Sequence, residues 1–347
     1  MIVCQDNSAC HNLYRIASNI KLRKIKEIIF FAYMAYLGTK AIMSRFLAEN
    51  ETVIDTHTGL MWAKNASLFD FPMRWEEALN TIKETNLSGL YGYNDWKLPN
   101  RKELFSLISH EMINPSIPAG HPFTNVFPGY YWTSSTCVRL PNQAWYIHLG
   151  GARVFKGMKY GSYMVWPVRI ADNHSKSKVF QTGQKNCFDE SGVIIDCDNM
   201  GQDGECRSSL RFPKQRFTEN ANSIYDNATN LTWMKDANLN RNAVDWKSTF
   251  NLILQINRES KYGYNDWRVP NILELESLID LSRHSPALPD EHMFNDVQDF
   301  YWSSTTSMYN VDYAWVLYMI DGIIGVGYKP LSEFYLWPVR GNEINTV

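Results

Sequence analysis

The most regular apolar pattern in the chain is helical, and it occurs twice. Residues at positions i, i+3, i+4 and i+7 share one face of a helix. In the first half of the chain these positions hold Trp75, Ala78, Leu79 and Ile82. The same spacing returns 171 residues later, with Trp246, Thr249, Phe250 and Ile253. The pattern predicts one amphipathic helix in each half.

A second, shorter helix is predicted after a Leu-Pro-Asn or Val-Pro-Asn tripeptide. Asn100 with Glu103, and Asn271 with Glu274, have the spacing of a capping box at a helix N-terminus. The segments that follow are short, rich in aromatic residues and broken by Gly, Pro and Asn, which is typical of strands and long loops. Each half is therefore predicted to be α+β, with two helices and a small irregular antiparallel β half.

The tryptophans show that the two halves are copies of one unit. All twelve fall into two sets of six in the same order, and the offset between partners is 170 or 171 residues. A period of this length indicates tandem domains rather than a solenoid. We place a leader at 1–44, repeat 1 at 45–171, a linker at 172–213, repeat 2 at 214–342 and a tail at 343–347. Matched tryptophans are expected in the core of a shared fold; the alternative is that they are exposed sugar-stacking platforms.

Composition narrows the class of protein. The chain has 347 residues, of which 45% are hydrophobic and 20% charged, as in folded domains. Its formal net charge of −2 argues against a nucleic-acid partner, since nucleic-acid binders usually have a basic surplus. No apolar run reaches the length of about 18 residues that a membrane span needs, so none is predicted in the mature chain.

The start of the chain resembles a secretory signal. Basic residues at 21–26 precede an apolar run from Ile28 to Leu37, and Thr39 and Ala41 have the small-residue spacing of a cleavage site. We therefore expect export to the periplasm, the cell surface or the medium. An uncleaved anchor and an ordinary cytosolic helix are the alternatives.

Four cysteines follow the leader and are candidates for disulfide bonds: Cys137, Cys187, Cys197 and Cys206. A Cys187–Cys197 bridge would close a small loop, but four cysteines allow three pairings. The alternative is free thiols in a reducing compartment, because no spacing matches a zinc site.

The motifs that the repeats share resemble those of a known family. Residues 91–103 read YGYNDWKLPNRKE and residues 262–274 read YGYNDWRVPNILE. YWTSST from Tyr131 corresponds to YWSSTT from Tyr301, and VWPVR from Val165 to LWPVR from Leu336. These motifs resemble the Lcl C-terminal domain family, which is named for a collagen-like adhesin of Legionella.

The resemblance implies a C-type-lectin-like fold for each repeat and a non-catalytic, adhesin-like protein. Members of that fold mostly bind ligands, and the namesake adhesin binds sulfated glycosaminoglycans. The implied partner is a glycan or another cell-surface or extracellular-matrix ligand. Fold alone does not determine function, so a surface-assembly or oligomerisation module without a small ligand is the alternative. An enzyme related to formylglycine-generating enzymes is a third reading, although their working cysteine pair has no match here.

One basic stretch of repeat 1 is a candidate ligand site. Arg153, Lys156, Lys159 and Tyr160 lie between Trp145 and Trp166, where they are predicted to present a basic edge to sulfate groups. Repeat 2 keeps only a lysine there, so the repeats are not expected to bind the same ligand. The alternative is a solvated loop.

The linker contains the densest cluster of oxygen ligands. Asp196, Asp198 and Asp203 are candidates for a calcium site, and calcium is the one cofactor that the sequence suggests. Met200 and Arg207 occupy positions that an EF-hand loop reserves for ligands, so a solvated acidic linker is the alternative. The chain has no nucleophile elbow, Walker loop or dinucleotide fingerprint, and we expect no catalysis.

Overall fold

The computed structural model describes residues 44–172, 176–207, 209–331 and 333–344. The chain divides into two units, Met1–Leu47 and Ala48–Val347, and both predicted repeats lie in the second unit apart from the first residues of repeat 1. The predicted leader lies outside the described residues except for its last residue, Ser44. Among the helices that the structure describes, none combines the length and the apolar character needed to cross a membrane.

The two repeats contain the same elements in the same order. In repeat 1 these are β1 (Phe46–Glu49), β2 (Thr52–Asp55), β3 (Leu60–Ala63), α1 (Trp75–Leu87), α2 (Arg101–Phe105), β4 (Tyr130–Thr136), β5 (Gln143–His148), β6 (Arg153–Met158) and β7 (Val168–Ile170). The linker forms a hairpin of β8 (Cys187–Phe188) and β9 (Ile194–Ile195). Repeat 2 has β10 (Phe217–Asn220), β11 (Ser223–Asp226), β12 (Leu231–Met234), α3 (Trp246–Arg258), α4 (Ile272–Ser277), β13 (Phe300–Thr306), β14 (Tyr313–Tyr318), β15 (Ile323–Tyr328) and β16 (Val339–Arg340).

Both helices of each repeat form where the sequence predicts them. Helix α1 begins at Trp75 and buries the apolar face that its spacing defines. At α2, the Asn100 side chain accepts from the Glu103 amide, and the Glu103 carboxylate accepts from the Asn100 amide, both at 2.9 Å. The same reciprocal pair starts α4 in repeat 2. The predicted capping boxes are therefore confirmed, and each satisfies two amide donors that the first helical turn leaves unpaired.

A small antiparallel sheet joins the beginning and end of each repeat. In repeat 1, β3 pairs with both β2 and β7, and Trp62 lies opposite Val168. In repeat 2, Trp233 lies opposite Val339 in the same way. Every tryptophan except Trp246 is buried, so eleven of the twelve belong to the core.

The remaining strands of the two repeats form one continuous sheet. Its strand order is β13-β14-β15-β6-β5-β4, so the last hairpin strands of the two repeats meet at the centre. There, Val154 of β6 pairs antiparallel with Ile324 of β15. Each of these strands would be an unpaired sheet edge if its repeat stood alone. The repeats, predicted as separate tandem domains, thus share a sheet.

Buried ion pairs accompany this junction. The Arg101 guanidinium lies 3.7 Å from the Glu276 carboxylate of the other repeat, and both side chains are fully buried. Lys156 of repeat 1 forms an ion pair with Asp321 of repeat 2, and Arg139 approaches the same carboxylate at 3.5 Å. A buried charge left without its partner costs several kcal/mol, so these contacts favour one arrangement of the two repeats.

Candidate functional site

One face of the shared sheet in repeat 1 is covered by aromatic rings, which pack against the core at Trp132 and reach solvent at Tyr130 and Phe155. Side chains alternate between the faces of a strand, and this face carries alternate residues of three adjacent strands. Across the strands, Tyr130 lies opposite His148, which lies opposite Arg153. In the next row Trp132 lies opposite Tyr146, which lies opposite Phe155. We call this surface the aromatic face.

Tyr163 covers the centre of the aromatic face. Its ring centroid lies 4.8 Å from that of Tyr146, 5.3 Å from that of Tyr130 and 4.3 Å from that of Trp132. Gly157 makes this packing possible, because a Cβ atom there would lie 2.6 Å from the Tyr163 hydroxyl. The rings are therefore held as a fixed cluster, which reduces the entropy that a ligand would have to remove.

A cleft of about 480 Å³ opens beside this cluster. Its lining includes Tyr130 and Tyr163 of the aromatic face and Asn125 and Phe127 of the loop before β4. Asp70, whose backbone has a positive φ of 59°, contributes a carboxylate. The volume is within the range of small-ligand clefts, and apolar walls with a few polar groups are typical of them.

Phe127 is positioned by its neighbours although its ring is 49% exposed. Its amide donates to the Tyr131 hydroxyl at 2.8 Å. Its ring lies directly over Gly129, where a Cβ atom would be only 2.0 Å from the ring. Phe127 and Tyr130, which is 43% exposed, therefore present ring surface to solvent at the mouth of the cleft.

Burial disfavours the charged forms of Tyr146 and His148 on the aromatic face, as the directions of their pKa shifts show. It raises the pKa of Tyr146 to about 12, and the phenol groups of Tyr163 and Tyr130 act in the same direction. Burial lowers the pKa of His148, and the nearby Arg153 lowers it further. At neutral pH the face offers uncharged phenols and an uncharged imidazole, with the Arg153 cation at its edge.

Repeat 2 has a different surface at the corresponding positions. Phe300, Val316 and Phe334 stand where repeat 1 has Tyr130, Tyr146 and Tyr163. Arg241 occupies the position of Asp70 and bonds the carboxylates of Asp236 and Asp296, each at 2.7 Å. Ion-paired side chains therefore stand where repeat 1 has its polar cleft residues, so the two repeats differ chemically here.

The structure separates the four predicted ligand residues. Arg153 is exposed on the aromatic face, and Tyr160 is 63% exposed in the turn after β6. Lys156 points to the opposite side of the strand, into the junction with Asp321. Lys159 is fully buried, and its side-chain nitrogen donates to the carbonyls of Phe188 and Asp189 at 3.0 and 2.9 Å. This corrects the predicted basic edge: Lys156 and Lys159 stabilise the fold and are not available to a ligand.

The acidic linker residues do not converge either. Asp196 and Asp198 are exposed, whereas Asp203 is buried and accepts from the hydroxyls of Ser135 and Thr182 at 2.5 and 2.7 Å. Burial raises the pKa of Asp203 to about 6, against the opposing effect of these hydrogen bonds. Within the described residues no three His, Cys, Asp or Glu side chains are grouped as metal ligands. The structure therefore does not assemble the predicted calcium site.

Of the four candidate cysteines, two form the bridge that the sequence allowed as a closed loop and two remain free thiols. Cys187 and Cys197 form a disulfide that closes the linker hairpin. Cys137 is a buried free thiol and Cys206 a half-buried one. The linker is also not the solvated segment that its composition suggests, because Cys187, Phe188 and Asp203 are buried.

The tyrosines of the aromatic face and Phe127 are not among the candidate residues that the sequence indicates, because the motifs shared by the two repeats consist mostly of core residues. The signal that could identify these tyrosines is a difference between the repeats. At the positions of Tyr130, Tyr146 and Tyr163, repeat 2 has phenylalanine or valine, which lack a hydroxyl.

Comparison with known proteins places both halves of the chain in one family. The model of the Lcl C-terminal domain matches residues 51–169 and again residues 222–340. No curated protein matches the chain. The two matched segments coincide with the two structural repeats and exclude the linker hairpin.

Proposed function

Since the chain belongs to the Lcl C-terminal domain family, we propose that it is an exported, adhesin-like protein that binds glycans through the cleft beside the aromatic face of repeat 1. The observation that carries the proposal is the exposed pair of rings, Phe127 and Tyr130, at the mouth of a cleft that also holds Asp70 and Asn125. The function is binding without a chemical step.

The chemistry of the cleft suits a sugar ring. The apolar C–H face of a pyranose packs on an aromatic ring, and its hydroxyls hydrogen-bond to carboxylate and amide groups. Asp70 and Asn125 supply such groups in the lining of the same cleft. Arg153 at the edge of the aromatic face suits an acidic or sulfated substituent, because a guanidinium pairs well with oxyanions.

Two further features support the proposal. The Cys187–Cys197 disulfide is typical of proteins that leave the reducing cytosol. The capped helix α2, which follows Leu98-Pro99-Asn100, supports a C-type-lectin-like fold for each repeat. We propose that fold for both repeats.

The test is binding of the full chain to a panel of sulfated and neutral glycans at several salt concentrations. Tyr130→Ala and Phe127→Ala should each weaken binding at least about fivefold, the loss expected for one stacking contact of about 1 kcal/mol. Tyr309→Ala is the matched control, since Tyr309 is an exposed aromatic residue of repeat 2. Failure to bind any glycan would favour the surface-assembly alternative.

Export needs its own measurement. Cells that make the chain would be fractionated, and the mature N-terminus would be sequenced. Recovery outside the cytoplasm would support export, and recovery of an intact chain in the cytoplasm would refute it.

A further inference from the structure

The face of the sheet that carries the aromatic rings continues from repeat 1 into repeat 2. At the junction, Val154 of β6 pairs antiparallel with Ile324 of β15, and both side chains are buried on the other face of the sheet. The residues next to this pair point the opposite way, because side chains alternate along a strand. On the aromatic side the junction is consequently formed by Arg153 and Phe155 of β6, which lie opposite Gly325 and Ile323 of β15.

Beyond the junction this surface continues over a pair of rings in repeat 2. Tyr318 of β14 lies opposite Ile323 on one side and opposite Phe300 of β13 on the other, and the Phe300 ring centroid is 5.2 Å from that of Tyr318. The Tyr318 ring packs closely against β15 at Gly325, where a Cβ atom would lie 3.1 Å from the ring atom Cε2. Phe155 is 45% exposed, and Ile323 and Tyr318 are half-buried. We call the surface formed by Arg153, Phe155, Ile323, Gly325 and Tyr318 the cross-repeat face.

Charge is unevenly distributed along this surface. Arg153 is exposed at its centre, and among the residues that the structure describes its guanidinium has no ion-pair partner. Burial, and then Arg153, lower the pKa of His148, whereas burial, and then Glu333, raise the pKa of Tyr318. Asp70 lies in the cleft of repeat 1. An unpaired cation at the centre is therefore flanked by a carboxylate toward each end.

The length of the surface sets the size of a ligand that could contact all of it. Tyr130 of β4 lines the cleft of repeat 1, and Tyr318 of β14 lies four strands away. Neighbouring strands are about 4.8 Å apart, so the two tyrosines are separated by about 19 Å across the sheet, or about four sugar units. A β-1,4-linked glycan is a flat ribbon with apolar C–H groups on both sides, and each sugar unit advances by nearly one strand spacing. Its dimensions therefore match a row of rings on adjacent strands.

We propose that a linear β-linked glycan lies across the strands, from the cleft of repeat 1 over the cross-repeat face to Tyr318 of repeat 2, with an acidic sugar unit at Arg153. The inference rests on the proposed glycan-binding function and extends its site to residues that meet only because the repeats share a sheet. The Arg153 guanidinium pairs with the carboxylate of the acidic unit. Phe155 and Tyr318 pack against the neighbouring neutral units. Asp70 and Glu333 disfavour further negative charge toward the ends of the chain.

The test compares three ligands of one linkage by calorimetry with the full chain. They are cellobiose, cellotetraose and a synthetic cellotetraose in which one internal unit is glucuronate. The acidic tetrasaccharide should bind at least about tenfold more tightly than the disaccharide, because only the longer chain reaches beyond the cleft. Arg153→Gln should remove the difference in affinity between the acidic and the neutral tetrasaccharide.

Two substitutions test the contacts beyond the cleft. Phe155→Ala and Tyr318→Ala should each weaken binding of the acidic tetrasaccharide at least about fivefold, as expected for one lost stacking contact. The Phe155 ring is exposed, so its truncation leaves the core intact even where Tyr318→Ala lowers stability. The matched control is Tyr328→Ala, since Tyr328 is 40% exposed in β15 but lies on the opposite face of the sheet. It should bind within about twofold of the unaltered chain.

The outcomes separate this inference from the function on which it rests. Tetrasaccharides that bind no more tightly than cellobiose, or that do not bind at all, would overturn the extended site. Equal affinity of Phe155→Ala, Tyr318→Ala and Tyr328→Ala for the acidic tetrasaccharide would overturn it too, and binding at the cleft would still stand. The proposed function itself fails only when no glycan of the sulfated and neutral panel binds to the chain.

Discussion

Val154 of β6 pairs with Ile324 of β15, and both side chains are completely buried. This pair lies where the two repeats meet, at the centre of the six-stranded sheet. Each repeat therefore removes the exposed edge of the other, which is the usual hazard of an unpaired strand. The repeats are two copies in sequence, but their strands form one continuous sheet in the structure.

A charge at this junction should destabilise the chain strongly. Val154→Asp places a carboxylate where nothing can solvate it, and we expect a loss of roughly 3–5 kcal/mol in the free energy of unfolding. The milder Val154→Ala should cost roughly 1–2 kcal/mol. Arg153→Asp is the control, because the preceding side chain points to solvent on the other face. Urea unfolding measures all three, and similar losses for Val154→Asp and Arg153→Asp would contradict the shared sheet.

Local sequence signals were sufficient for the helices but not for this junction. The apolar spacing from Trp75 and the capping pair Asn100–Glu103 act within a few residues, so they could be recognised directly. The pairing of Val154 with Ile324 joins residues that are 170 apart. This pairing depends on which strand of each repeat lies at the edge of its sheet, and those edges exist only after both repeats have folded.

Asp203 should make stability fall as the pH rises. The pKa of its carboxyl is about 6 in the folded chain and 3.8 as the ordinary value. Between pH 4 and 6 the folded state therefore binds more protons than the unfolded state, and the free energy of unfolding decreases as the pH increases. A difference of about two in pKa corresponds to about 3 kcal/mol.

The Asp203→Asn variant isolates this effect. Its amide oxygen can still accept from Ser135 and Thr182, but it does not titrate. The difference in unfolding free energy between the variant and the unaltered chain should change by up to about 3 kcal/mol from pH 4 to pH 7, in favour of the variant at higher pH. Parallel pH profiles for the two proteins would show that Asp203 is not a buried, titrating group.

Lys159 and Lys329 occupy corresponding positions in the two repeats, but they should differ in their contribution to stability. Lys159→Met removes two hydrogen bonds from a buried place, those from the Lys159 nitrogen to the Phe188 and Asp189 carbonyls, which should cost about 2 kcal/mol. The Gln202 side chain and the Gly192 amide still donate to these two carbonyls. Lys329→Met removes one hydrogen bond, to the Thr306 hydroxyl, and the contact of the ammonium group with the Trp246 ring on a half-exposed surface, and it should cost about 1 kcal/mol. Chemical denaturation of both variants tests this. A larger loss for Lys329→Met would mean that the linker hairpin does not stabilise repeat 1.

Lys159 also shows why the candidate site was only partly predictable. In sequence, Arg153, Lys156 and Lys159 look like one basic stretch. The strand that ends at Met158 sends Arg153 and Lys156 to opposite faces, and the linker hairpin buries Lys159. The exposure of these three side chains depends on where β6 begins and ends and on the linker hairpin, which is distant in sequence. The spacing of the charges contains neither piece of information. The aromatic face is not recognisable in the sequence for the converse reason: its tyrosines are spread over thirty-odd residues, and they meet only through the register of β4 and β5 and the packing of Tyr163 on that pair of strands.

Gly129 should control ligand binding without contacting a ligand. A methyl group at this position would lie 2.0 Å from the Phe127 ring, so Gly129→Ala must displace the ring from the mouth of the cleft. Because Phe127 is about half exposed, the displaced ring can move into solvent, and the loss of stability should stay below about 1 kcal/mol. Glycan affinity should nevertheless fall about as far as it does in Phe127→Ala, at least about fivefold. Combining the two substitutions should add little, since both remove the same contact. Titration of the three variants with the best-bound glycan of the panel tests this, and wild-type affinity in Gly129→Ala would show that Phe127 does not contact the sugar.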